Sequence, residues 1–357
     1  MIKTSKRTLS LNLLITCVGG DYGPEVISRF KKNKIIKKIK IFGTDIKKGD
    51  DLAAKKFLDK FYQVPKGYKS SYLKKIDQIV KKNKIDLILV TSDEESLVLS
   101  KKYQYSDVKI ACSDYKNLIK ISNKIETYKL LEKNKIELPH WLEIKNEGEV
   151  LKAINNFKKK RLDFCIKPAI SRGGRDVYVI NNKLKKIMSF QNSREKHLNL
   201  KDFKANYKSF LKKKYPLLIM EKLKTPVYDL DILSKNGSLI NSVCRRRIHS
   251  ALPNSGHIIV NNNKLNLLAK KLSKIFNLNY LHDCDLMIDN KNNFKILEIN
   301  PRPSGSFVVA EAAGFPLINN IIKIYFNDKK FLKASKIYKK IIPYQSLSNF
   351  GKLKIKT

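Results

Sequence analysis

The chain has 357 residues, 42% hydrophobic and 9% aromatic, which is enough for two or three lobes with separate cores and too apolar for disorder to be the default. Its formal net charge is +42, but the excess is nearly all lysine spread among Asn and Ile, as a strongly AT-biased genome produces, whereas a dedicated nucleic-acid surface more often clusters Arg with interleaved aromatics. Five scattered cysteines (Cys17, Cys112, Cys165, Cys244 and Cys284), odd in number and without C-x-x-C spacing, exclude a disulfide framework and a zinc site.

The first apolar run, Leu9–Val18, is short, holds Ser10, Asn12 and Thr16 and flows into Gly19–Gly23, so it reads as a buried strand rather than a signal peptide. Pro24–Lys32 then reads as a helix, Ile39–Gly43 as a second strand ending at Thr44-Asp45, and Ile85–Val90 as another. Ser92-Asp93-Glu94-Glu95 has capping-box spacing and predicts a helix start. Strand, loop and helix in alternation predict a parallel sheet covered by helices, closed by a short strand around Lys109–Cys112. A helix is expected from Asn123, with Glu126 as reciprocal cap, to about Lys133. Phe164–Lys167 and Val177–Ile180 read as strands flanking a glycine loop, and Asn181–Lys214 as polar and mostly helical. From Leu217 the pattern turns β-rich: Leu217–Glu221, Tyr228–Ser234, Ser238–Arg247, Asp285–Ile288 and Lys295–Ile299, with a helix at Leu265–Phe276. No apolar run approaches the length needed to cross a bilayer.

The sharpest chemical signal is Leu297-Glu298-Ile299-Asn300-Pro301-Arg302. On a strand Glu298 and Asn300 share a face, and with Asp285 on the preceding strand they form an oxygen-donor set suited to Mg²⁺ carried by a polyphosphate. Arg302 follows, placed to neutralise a transferring phosphoryl group. Lys167 closes a buried strand, where an ammonium needs an anionic partner. The loop after it, Ser171-Arg172-Gly173-Gly174, can bring backbone N–H groups close to phosphates, although a Gly-Gly between strands taken alone reads as a hairpin turn. Glu221-Lys222-Leu223 ends an apolar strand in the manner of an adenine-binding edge. Arg245 and Arg247 share one face of their strand, Arg246 the other, and a guanidinium fork there suits a carboxylate. The Gly19-Gly20-Asp21-Tyr22-Gly23 loop with Asp45 imitates a dinucleotide fingerprint, but its glycine spacing departs from G-x-G-x-x-G. His249, His257 and His282 show no ligand or triad spacing.

These pieces, in this order, resemble the ATP-grasp superfamily, nearest to its carbamoyl-phosphate-synthase large-subunit-like branch, over nearly the whole chain. The resemblance implies an α/β fold, α+β in the catalytic part. A pre-ATP-grasp Rossmann-like domain (1–115) would precede a small lobe with the glycine loop (116–215) and a large lobe with the Mg/ATP site (216–325). Residues 326–357 would form a C-terminal extension. It further implies that Lys124, in a segment like K-x-x-T ending at Thr127, and Lys167 meet the nucleotide phosphates. Ser171, Gly173 and Gly174 would fold over them, and Glu221, Lys222 and Leu223 would line the adenine pocket. Asp285, Glu298 and Asn300 would hold magnesium, with Arg302, Lys167 and Arg247 in catalytic roles. Two departures stand out. Val227 precedes Tyr228 and Asp231 where many members carry a glutamate, and Asp285 is shorter than the usual Gln or Glu.

The implied activity is an ATP-dependent ligase that phosphorylates a carboxylate and joins it to an amine or similar nucleophile. ATP and Mg²⁺, with Mn²⁺ an allowed substitute, would be the cofactors, and a cytoplasmic location is expected. The implied partners are small carboxylate and amine substrates, with no specific nucleic acid; the oligomeric state is left open, a homodimer included. Phosphorylation of carbamate or bicarbonate is the neighbouring alternative. A basic protein that binds nucleic acid or a membrane surface through its charge, or a nucleotide-binding but inactive regulator, represents a different class.

Overall fold

The computed structural model describes residues 10–104, 106–171, 175–181, 184, 195–334 and 336–347. The chain divides into two compact units, one made of residues 1–118, 229–283 and 301–357, the other of 119–228 and 284–300.

The first unit begins with a parallel sheet of β1 (Ser10–Ile15), β2 (Lys38–Asp45), β3 (Lys60–Gln63), β4 (Leu87–Leu89) and β5 (Lys109–Ile110), in the order β3-β2-β1-β4-β5. Its central strands β1 and β4 are mostly apolar because both of their faces are covered. Leu13 and Ile15 of β1 and Leu87 and Leu89 of β4 enter one core, and Leu14 and Ile88 enter the other. Val26, Ile27 and Phe30 of α1 (Gly23–Lys31) cover the first face; Tyr72, Ile76, Ile79 and Val80 of α2 (Ser70–Asn83) cover the second, with Leu99 of α3 (Asp93–Lys102). The capping box expected at Ser92 does not form: no side-chain bond caps α3. Glu95 is buried instead and accepts from the Cys17 thiol at 3.2 Å.

Helix α4 (Tyr115–Ser122) runs from the first unit into the second, whose next helix is α5 (Lys124–Lys133). Asn123 caps α5 by accepting from the amides of Ile125 and Glu126. The reciprocal half of the expected box is replaced, because the Glu126 carboxylate pairs with Lys129 at 3.4 Å. The strands β6 (Trp141–Ile144), β7 (Phe164–Pro168), β8 (Tyr178–Ile180), β9 (Lys196–Leu198) and β10 (Leu217–Glu221) form a sheet in the order β6-β10-β7-β8-β9. One face, with Phe164, Ile166, Leu217 and Ile219, is packed by α6 (Val150–Lys159) and α7 (Leu200–Leu211). The opposite face, with Cys165, Val179, Leu218 and Met220, is packed by Ile125 and Tyr128 of α5 and by Trp141, Met287 and Leu297. Trp141 meets Tyr128 edge to face, ring centroids 5.5 Å apart.

The third sheet contains β11 (Lys224–Lys235), β12 (Ser238–Arg247), β13 (His257–Val260), β14 (Tyr280–Ile288), β15 (Phe294–Asn300) and β16 (Lys340–Ile341), in the order β15-β14-β11-β12-β13-β16. Between β14 and β15 the turn is fixed by Asp289, whose carboxylate accepts from the amides of Lys291 and Asn293. Helix α8 (Asn263–Ile275) contributes Leu265, Ala269 and Leu272 to the buried interior. Helices α9 (Val308–Ala312) and α10 (Leu317–Tyr325) complete the first unit's core with Val308, Ala310, Leu317, Ile318, Ile321 and Ile322.

A candidate nucleotide site in the second unit

The apolar face of the β6–β10 sheet fixes the position of Lys167. It lies opposite Leu218 in the β7–β10 register, two residues beyond Cys165, and alternation therefore turns it to the face carrying Cys165, Leu218 and Met220. It is only 4% exposed, and its ammonium donates to the Leu297 carbonyl at 3.0 Å. Burial pulls the Lys167 pKa down, and the charge of Glu298 works against that shift.

Lys124 arrives from another direction. As the first residue of α5 it is pinned by its own amide, which donates to the Ala169 carbonyl at 2.8 Å. Its buried ammonium donates to the Ser171 carbonyl at 2.5 Å and pairs with the Glu298 carboxylate at 3.4 Å. The hydroxyl of Tyr128, one turn along α5, donates to the carbonyls of Ile296 and Leu297 and holds β15 against the helix. Two buried ammonium groups thus gather around one strand whose carboxylate is Glu298. Next to it the Asn300 side-chain amide donates to Asp285 at 3.2 Å.

At the end of β10 the amide of Glu221 donates to the His140 carbonyl and that of Lys222 to the Asp163 carbonyl, both at 2.8 Å, which fixes the linker. Leu223 joins the apolar cluster that includes Met220, Val179 and Ala169. The structure therefore brings Lys124, Lys167, Ser171, Asp285, Glu298 and Asn300 into one constellation drawn from two sheets, with Glu221, Lys222 and Leu223 at the end of β10. Gly173 and Gly174 lie outside the described residues. Sequence reading did not single out Tyr128; its spacing from Lys124, one helical turn, was the available signal.

The expected arginines belong to the first unit. Arg302 pairs through Nε with Asp93, the first residue of α3, at 2.7 Å. Arg245 is wholly buried, bidentate with Asp231 at 2.6 and 2.9 Å, and donates to the Ser306 hydroxyl at 3.0 Å. Its guanidinium is engaged at both ends, and the carboxylate that its fork meets is Asp231. Arg247 is 17% exposed and grips Asp229 bidentately at 2.5 and 3.0 Å. Burial would raise the Asp229 pKa, but Arg245, His257 and Arg247 together hold its carboxyl well below the usual range. His257 is buried against Asp229 at 3.2 Å, and His282 meets the Ser113 hydroxyl at 2.8 Å, so both histidines are structural partners.

Residues 213–342 match the family described as ATP-grasp in the biosynthetic pathway with Ter operon, and residues 13–112 match the PylC-like N-terminal domain. The chain carries an ATP-grasp domain following a PylC-like N-terminal domain. It is similar to N5-carboxyaminoimidazole synthetase from Staphylococcus aureus complexed with ADP, at 15% identity and a TM-score of 0.64, over 90% of this chain and 79% of that one. It also resembles the biotin carboxylase domain dimer of Hydrogenobacter thermophilus 2-oxoglutarate carboxylase in complex with MgADP, ADP and bicarbonate, at 13% identity and a TM-score of 0.69, over 92% and 72%. A third likeness is to L-amino acid ligase from Bacillus licheniformis, at 12% identity and a TM-score of 0.62, over 88% and 73%. At such identities the likeness is one of fold. No curated protein matches the chain. Among the described residues no helix is long and apolar enough to cross a membrane.

Proposed function

We propose that the chain is an ATP-dependent ligase that activates a carboxylate as an acyl phosphate and joins it to an amine or similar nucleophile. The observation that carries this reading is the gathering of two buried lysines, Lys124 and Lys167, around Glu298. Beside Glu298 the two ammonium groups rest on the carbonyls of Ser171 and Leu297, and a polyphosphate anion would be a stronger partner for them. Asp285, Glu298 and Asn300 supply only oxygen donors once the Asn300 amide turns its Oδ1 inward, and such a set fits Mg²⁺, or Mn²⁺ in its place. Bound there, the ion would neutralise phosphate charge.

The protein's own contribution is positioning and charge. Lys124 and Lys167 draw the phosphates of ATP to β15, and the apolar cluster with Leu223 at its edge receives the base. A substrate carboxylate oxygen bonds to the γ-phosphorus while the bond to ADP breaks. The nucleophile then bonds to the acyl carbon, loses its proton, and inorganic phosphate leaves. We assign Arg302 to the charge on the transferring group and Arg247 to the substrate carboxylate; Asp229 fixes the Arg247 fork. Residues 1–115, 116–215, 216–325 and 326–357 remain our division into leading domain, two lobes and extension. A ligase of this kind would work in the cytoplasm on soluble small molecules, as monomer or homodimer.

The test is Mg²⁺-dependent ADP release by the purified protein with a panel of amino acids, small carboxylates and bicarbonate, beside Glu298→Ala. Acid-dependent ADP formation that falls at least about 100-fold in the variant is expected. Unchanged turnover in Glu298→Ala, or dependence on bicarbonate alone, would overturn the carboxylate–amine assignment.

A further inference from the structure

A strip at the C-terminal side of the first unit, Lys336–Leu347, combines charge and apolar surface in a way that no feature of the nucleotide site explains. It carries Lys336, Lys339 and Lys340, is preceded by Lys329, Lys330 and Lys333, and has no Asp or Glu. Among the described residues thirteen large hydrophobic side chains are exposed, and five of them lie here: Ile337, Tyr338, Ile342, Tyr344 and Leu347. Tyr344 is 91% and Leu347 95% exposed. Isolated exposed apolar residues are ordinary, whereas a concentration of this kind marks an interaction surface.

The backbone of Lys336–Ile341 is held. The Tyr338 amide donates to the Ala313 carbonyl at 2.9 Å and the Ile259 amide to the Lys339 carbonyl at 2.8 Å. Strand β16 pairs antiparallel with β13, His257 opposite Ile341 and Ile258 opposite Lys340. Gly314, at φ +104°, lies so close that a Cβ there would meet the Lys336 carbonyl oxygen at 1.9 Å. The Lys336 ammonium stands 5.2 Å above the Tyr338 ring. Lys336, Ile337, Tyr338, Lys339 and Lys340 therefore stand out from a fixed edge, and the exposed Ile342, Tyr344 and Leu347 follow it along the chain.

We propose that this strip docks on an anionic lipid surface. Six lysines without a carboxylate among them, on a chain of net charge +42, repel a second copy of the chain and attract an anion. A polyanion alone would satisfy the lysines but leave Ile337, Ile342 and Leu347 in water. A lipid interface satisfies both sets: phosphate headgroups meet the ammonium groups, the acyl boundary takes the aliphatic tips, and the tyrosines lie between.

The experiment is co-sedimentation of the full chain with vesicles of phosphatidylcholine alone or mixed with phosphatidylglycerol, at low and at raised NaCl. Because the whole molecule is basic, the deciding variant removes apolar tips and no charge: Tyr344→Ser with Leu347→Ser, its fold checked by circular dichroism and thermal unfolding. Binding to the phosphatidylglycerol vesicles that survives raised salt, and weakens about tenfold or more in the variant, is expected. Equal binding by the variant would reduce the effect to diffuse charge and overturn the proposal. So would equal binding to both vesicle types, no binding at all, or light-scattering masses showing a wild-type dimer that the variant abolishes.

Discussion

Glu311 shows how a single carboxylate ties stability to pH. It sits on α9 and accepts the backbone N–H of Ile318 in the first turn of α10. Burial pushes its pKa up to about 7, against the opposing effect of the Ile318 and Leu317 amides and of Arg29. A folded-state pKa above the unfolded one means that the stabilisation is complete below the unfolded value of 4.5 and is lost as pH rises through about 7. Glu311→Gln should therefore flatten the pH dependence of thermal unfolding across that window and raise the midpoint above wild type on its alkaline side. A variant that melts with the wild type there would show that the carboxylate carries no penalty. The same scale exposes a limit of sequence reading. Ser92 to Glu95 has faultless capping-box spacing, yet Glu95 is taken into a buried contact with Cys17, a residue 78 positions away. Local spacing gives candidates, and tertiary burial chooses among them.

Helix α5 is the element on which the candidate site turns. Asn123 satisfies two of its orphan amides, so the helix starts at Lys124 and no later. Replacing Asn123 by Ala should cost about 1 kcal/mol in urea unfolding. It should also raise the KM for ATP more than it lowers kcat, because Lys124 loses its fixed base; an unchanged KM would detach the cap from nucleotide binding. Much at this scale was legible beforehand. The extents of β7, β10 and β12 and the start of α5 followed from apolar runs and an Asn cap. The short strand β6, placed beside β10, was not, because Trp141–Ile144 is four residues without a clean period. Strand alternation put Arg245 and Arg247 on one face, but alternation does not say which face is inside, and Asp231 decided that by burying Arg245. The convergence of Lys124 and Lys167 on β15 spans at least 130 residues of sequence, and only family resemblance hinted at it.

For the molecule as a whole, the excess of lysine is a force on the fold as well as on its partners. At low ionic strength a net charge of +42 repels itself across the surface, and added salt screens that repulsion within about 10 Å at 0.1 M. The melting temperature should therefore rise by several degrees as NaCl is raised from near zero to moderate concentrations, followed by scanning calorimetry. A flat response would mean that the excess lysines lie too far apart for their repulsion to act on the fold. The fold itself is indifferent to this bias: identities of 12% to 15% accompany TM-scores of 0.62 to 0.69.

Trp141 is the chain's one tryptophan. It lies in the apolar cluster with Met220 and Leu223 and edge to face with Tyr128, whose hydroxyl holds β15. Its indole is thus a native optical reporter on the very sheet face assigned to the base, and its emission gives a label-free window on that face while the surface tyrosines stay silent to selective excitation.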